Sequence, residues 1–153
     1  MRVADRFLVL ASWMVLISLS AFALQRTADA ERSLFGSVNQ ERKAHGLGTL
    51  RWDDALADAA RKHAQRMAEQ GAMSHQFPGE PNLASRARTA GVHYTWLSEN
   101  VDEGPNAATI HQSFMKSPLH RSNILDTDMD SVGIGIVERN GQMFAVEDFA
   151  KAK

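Results

Sequence analysis

A chain of 153 residues suits one domain and leaves little for a second. Its 44% hydrophobic and 23% charged residues are those of a globular protein, and a net charge of -1 offers no basic face for nucleic acid. The absence of cysteine excludes disulfides, thiolate-bound zinc, iron–sulfur clusters and thiol nucleophiles, so the fold must stand on its core alone.

The chain begins with a basic start, Arg2 and Arg6, followed by a run from Phe7 to Leu24 that is apolar apart from Ser12, Ser18 and Ser20. This is the pattern of a secretory signal, and two small-x-small sites follow, Ala21-Phe22-Ala23 and Ala28-Asp29-Ala30. Cleavage near one of them makes residues 1–30 a signal peptide and 31–153 the mature domain. Left uncut, the 7–24 run is just long enough to anchor the chain in a membrane. Both readings put the domain outside the cytoplasm, secreted or periplasmic in the first and held at the membrane in the second.

Glu31 to His45 has helical spacing and stops at Gly46. Asp53 is placed to cap a helix running to Gln70, with Leu56, Ala60, His63 and Met67 on one face and Gly71 as its stop. Ser74 to Pro81 reads as a loop, and Asn82 to Ala90 as a short helix. Tyr94, Thr95 and Trp96 favour a strand within 92–101. Asn106 caps a helix through Lys116, and Ser117-Pro118 starts another through Leu125. Val132 to Val137 and Met143 to Phe149 are strands, joined by a hairpin turn at Asn140-Gly141. Helices first and the hairpin last make an α+β fold.

Six segments, in order and at compatible spacings, resemble the CAP/SCP superfamily of cysteine-rich secretory, antigen 5 and pathogenesis-related-1 proteins, in a cysteine-free bacterial form. They are Val38-Asn39-Gln40-Glu41-Arg42 with Gly46-Leu47 and Leu50 to Asp53; the helix bearing Leu56, Ala60, His63-Ala64 and Met67; Ser74-His75; Ser98-Glu99-Asn100-Val101; Ser117 to Leu125; and Gly133-Ile134-Gly135. The resemblance covers residues 34–149 and implies a three-layer α/β/α sandwich with a central, mainly antiparallel sheet.

It also implies a surface cleft in which His75, Glu99 and His120 converge and can hold a divalent metal. The family's fourth position is an acid near Phe114 to Ser117. This chain has none there, while Glu147 and Asp148 stand where the family often has Gln. Two imidazoles and a carboxylate suit Zn2+ with an open fourth position for water. His120 would be the third residue of its helix, where the positive end of the dipole favours the neutral, metal-binding imidazole. The bland counterpart is a hydrogen-bonded polar cleft that holds loops in place. His63, on an apolar stripe, reads as a satisfied core residue. His45 sits at a helix C-terminus, and His93 and His111 suggest no partner. Asn100, Arg121 and Asn123 read as loop-fixing, and Trp52 and Trp96 as packing.

Three functions fit. The first is a non-catalytic binding module, for which the resemblance implies lipid, cell-envelope or protein ligands; no G-x-S-x-G elbow speaks for an acyl-transfer nucleophile. The second is a zinc-dependent hydrolase of peptide or envelope substrates, with Glu147 or Asp148 as general base. The third is an interaction protein with a vestigial cleft.

Overall fold

The computed structural model describes residues 3–153, with side chains from Leu24 onward; the expectations drawn from the side chains of residues 1–23 lie outside it. Nine elements follow in order: α1 (Val3–Ala44), β1 (Arg51–Trp52), α2 (Asp54–Gln70), α3 (Leu83–Thr89), β2 (Tyr94–Gly104), α4 (Ala107–Lys116), α5 (Pro118–Ile124), β3 (Ser131–Arg139) and β4 (Gln142–Ala152). The expected α+β class and three-layer sandwich are what the chain forms. The sheet order is β1-β3-β4-β2; only the short β1 pairs in parallel, with β3, and every other pair is antiparallel.

Local chemistry sets the boundaries. Asp53, Asn82 and Asn106 each accept a hydrogen bond from a backbone N–H three residues on, at 2.9 Å, and so start α2, α3 and α4. The β3–β4 hairpin turns at Asn140 and Gly141, both with positive φ (54° and 78°), as a two-residue primed turn requires. The first helix differs from expectation: it does not begin at Glu31 but runs in from Val3. No Gly or Pro lies between Leu24 and Glu31 to stop it. Ala30 is buried in the main core and Arg26 pairs with Glu138 at 2.8 Å, so the turns before Glu31 pack on the sheet.

Glycine decides how closely the second layer sits. A Cβ on Gly133 would fall 2.1 Å from the backbone nitrogen of Ala57, and one on Gly135 2.1 Å from that of Arg61. The bare glycine backbone of β3 is therefore the seat on which α2 rests. On the opposite face Val132, Ile134, Ile136 and Phe149 pack against Leu34 and Val38 of α1, Ile110 and Phe114 of α4, and Ile124 of α5. Each such fully buried side chain contributes about 1.5 to 3 kcal/mol.

Arg42, buried near the end of α1, ties this layer together. Its guanidinium donates to the carbonyls of Gly48 (2.7 Å), Ile124 (2.9 Å), Asp126 (2.7 Å) and Met129 (3.4 Å). Desolvation lowers its pKa, so the four carbonyls are the compensation for burying the charge.

Candidate functional site

The site lies at the β2 edge of the sheet, where loops from both helical layers meet. Alternation along β2 points Glu99 toward the α2–α3 layer and Asn100 toward the α4–α5 layer.

On the first side the loop after α2 is pinned from below. His63, fully buried on α2, donates from Nε2 to the carbonyl of Ser74 at 2.7 Å and places Nδ1 2.6 Å from Glu80 Oε1. Burial works against ionising Glu80, but the Phe77 N–H and His63 together hold its carboxyl below the ordinary glutamate range. The loop thus holds His75 over β2, where Nδ1 donates to Glu99 Oε1 at 2.8 Å. That carboxylate raises the His75 pKa and favours the imidazolium. Arg86, from the last turn of α3, gives one guanidinium nitrogen to the other Glu99 oxygen and another to the carbonyls of His75 (3.1 Å) and Pro81 (3.2 Å). Glu99 is only 8% exposed, whereas the His75 side chain is 61% exposed.

Asp148 lies opposite Glu99 on β4 and is fully buried. Its two oxygens find no hydrogen-bond donor among the described residues. Burial first, and the Glu99 charge second, push its pKa well up and so favour its neutral form.

On the second side Asn100 donates to the carbonyl of His120 and to Glu147 Oε2, both at 3.1 Å, and receives the Asn123 amide at 2.8 Å. The His120 ring stands edge-on to Phe114, centroids 5.2 Å apart. Desolvation lowers its pKa, with Asp102 opposing and His75 assisting, which favours the neutral ring. Its Nδ1 is buried without a partner among the described residues. Burial lifts Glu147 to about 8.

Of the residues named from sequence, His75 and Glu99 are hydrogen-bonded to each other. His120, on α5, makes no hydrogen bond to either among the described residues; its carbonyl accepts from Asn100. Glu147 and Asp148 lie beneath the cleft on opposite faces of β4. A His2Glu zinc centre does not fit this arrangement. Zinc ligands converge on one point at about 2.0 to 2.2 Å. Among the described residues, no three His, Cys, Asp or Glu side chains gather so as to hold a metal ion. Both Glu99 oxygens are already engaged, one by the Arg86 cation, which opposes a dication beside it. Burial raises the pKa of both Glu147 and Asp148.

His63 is the satisfied core histidine its stripe suggests, and Asn100 and Asn123 fix loops as expected. Arg121 meets His45 Nε2 at 2.9 Å, and His111 stands 3.9 Å from Glu41. Trp52 packs edge-on against Phe35 at 5.5 Å. Trp96 does not pack: it is 60% exposed, at a register shift on the edge strand. Sequence reasoning missed Arg86 and Glu80. Nothing local distinguishes Arg86 from Arg88 two residues on, since only the tertiary position of Glu99 decides which one turns inward.

A four-stranded, mainly antiparallel sheet between helical layers, with a histidine–glutamate cleft at its edge, defines the SCP-like class of α/β/α sandwich. The chain belongs to the cysteine-rich secretory protein family, whose model matches residues 35–149. It is 29% identical over 109 residues to the YkwD protein of Bacillus subtilis (strain 168), a match covering 71% of this chain and 42% of that one. An extracellular SCP-domain protein from Bacillus anthracis str. Ames superposes with a TM-score of 0.79 at 25% identity, over 84% of this chain and 42% of that structure. An outer surface protein of Borrelia burgdorferi gives 0.77 at 21% identity, over 83% and 96% of the two chains. The chain thus spans under half the length of the first two of these relatives.

Proposed function

We propose that this protein is an extracytoplasmic binding module whose His75 cleft recognises a lipid, cell-envelope or protein ligand without chemical turnover. The observation that carries this reading is the saturation of Glu99. His75 and Arg86 between them engage both oxygens of this one carboxylate, which leaves it neither free as a base nor open as a metal ligand. Such a locked network holds the exposed ring of His75 at the surface. Leu119, next to His120 in the sequence, is 79% exposed and offers an apolar side chain to a ligand. The extracellular and outer-surface descriptions of the structural relatives, together with the apolar 7–24 run, support placing the domain outside the cytoplasm.

The test is a binding screen of the full chain against cell-wall polymer, phospholipid vesicles and solubilised envelope proteins, run beside a His75→Ala, Leu119→Ala variant whose fold is checked by circular dichroism. Binding by the native chain that the variant loses supports the reading. No ligand in any fraction, or equal binding by both chains, overturns it.

A further inference from the structure

Away from the cleft, three helices bring titratable side chains together around Glu41 of α1. His45 stands one turn further along the chain, just past the end of α1, while His111 comes from α4 and Arg121 from α5. The partners of His45 fix where its proton sits. Nδ1 lies 2.8 Å from the carbonyl oxygen of Glu41, which only accepts, so Nδ1 is the donor. Nε2 lies 2.9 Å from a guanidinium nitrogen of Arg121, which only donates, so Nε2 keeps its lone pair. The contact exists for the neutral ring alone. A second proton, on Nε2, leaves Arg121 nothing to donate to and sets two cations against each other.

The charges facing this ring are divided. Glu41 places Oε2 4.0 Å from His45 Nδ1, and the C-terminal end of α1 favours a cation. Arg121, from α5, opposes one. His111, from α4, stands on the other side of Glu41, its Nε2 3.9 Å from Oε1. Burial lowers the His111 pKa against the pull of Glu41, which favours its neutral ring and leaves the Glu41 charge to His45.

The helix that Arg121 belongs to is held unevenly. The second half of α5 is fixed: Ile124 is fully buried in the main core, its carbonyl accepts from Arg42 at 2.9 Å, and Asn123 donates to Asn100 at 2.8 Å. Among the described residues, the first turn is tied by Asn100 on the His120 carbonyl at 3.1 Å, by the edge of the His120 ring on Phe114, and by Arg121 on His45. Pro118, Leu119, Arg121 and Ser122 are exposed.

We propose that His45 is an acid-released latch on the first turn of α5: neutral, it accepts from Arg121 and holds the turn to the end of α1; protonated, it turns Arg121 out to solvent and loosens the turn. The same turn carries Leu119 and His120, so acid alters the apolar side chain offered at the cleft. That consequence rests on the binding role proposed for the cleft, and the latch itself does not.

The test needs no ligand. Amide hydrogen exchange at positions 121 and 122 of the full chain, corrected for the intrinsic pH dependence of exchange, is followed by NMR between about pH 8 and about pH 5, the range in which an imidazole takes up its second proton. Protection several-fold lower at the acid end is the expected result. In His45→Gln, whose side-chain oxygen can accept from Arg121 at every pH, protection stays constant. In Arg121→Ala it is low throughout, and His111→Gln keeps the response of the native chain. Constant protection in the native chain, an undiminished response in His45→Gln, native protection in Arg121→Ala, or loss of the response in His111→Gln overturns the latch. If the exchange results are as expected and the cleft binds nothing at either pH, the latch stands and only the binding role of the cleft falls.

Discussion

Asp148 of β4 and Glu99 of β2 are direct cross-strand partners, two buried acids side by side in the sheet, and burial together with the Glu99 charge raises the Asp148 pKa. Such a pair stays favourable only while one proton remains between them. The folded-state pKa of Asp148 lies above its unfolded value, so its contribution is complete below about pH 4 and is lost as pH rises toward that raised pKa. Asp148→Asn keeps a donor facing Glu99 and removes the titration. Urea unfolding across acid to alkaline pH is expected to show a smaller alkaline loss of stability in the variant. Parallel curves for the two chains would refute the raised Asp148 pKa.

Glu147 makes the same argument on the other face, with a single neutral partner. Its pKa of about 8 in the fold means that native stability falls between about pH 4.5 and 8 as a charge is forced into the core. Glu147→Gln can still accept from Asn100 and avoids that charge. The variant is expected to gain several kcal/mol over the native chain above about pH 8, with the gain shrinking toward pH 4.5. The check is denaturation at both ends of that window.

Arg86 is the buried counter-charge of the cleft. Arg86→Ala strips one Glu99 oxygen of its cationic partner and unties the loop carbonyls of His75 and Pro81. A loss of about 3 to 5 kcal/mol is expected on breaking a buried pair, and Arg86→Lys restores only part of it, because one ammonium cannot reproduce the fork. The Arg86 charge also lowers the His75 pKa. Titration of the His75 ring by NMR should therefore show a further rise in the variant, a change that mere loosening of the loop would not produce.

The parts of this fold that were legible in the sequence are those set by neighbours in the chain. The caps at Asp53, Asn82 and Asn106 and the Asn140-Gly141 turn depend on groups within a few residues. The face of α2 that hides His63 follows from helical period alone. The layering was legible only through the family resemblance, because periodicity does not say which helix lies on which face. β1 escaped notice because two residues carry no pattern. Trp96 looks like a packing residue in sequence because edge and central strands look alike there, and the small-x-small sites near the start of the domain say nothing about packing. Arg86 escaped because its partner is 13 residues away on another element.

Gly133 and Gly135 show a related gap: their sequence suggests a strand, but only the structure shows the helix lying on them. A methyl at either position meets the α2 backbone rather than a movable side chain. Gly135→Ala must lift α2 from the sheet, at a cost of about 3 kcal/mol or more, while Gly141→Ala is strained only by its positive φ and costs about 1 kcal/mol. Chemical denaturation of the two variants should separate them in that order, and equal losses would place α2 on a softer seat than the contacts indicate.

The last prediction concerns where the folded unit starts. A chain beginning at Glu31 loses the buried methyl of Ala30 and the Arg26–Glu138 pair. It also sets a new α-ammonium at a helix N-terminus, where the dipole opposes positive charge. The affected residue is the one whose carboxylate holds Arg61 and the Ile136 N–H. The 31–153 chain is expected to be less stable than 24–153 by about 1 to 3 kcal/mol. Glu31→Gln in the longer chain should reproduce the part of that loss due to the carboxylate. Thermal unfolding of the three proteins decides it: matched midpoints for 24–153 and 31–153 would return the boundary to Ala30, and a clear gap would make the turns from Leu24 to Ala30 part of the domain.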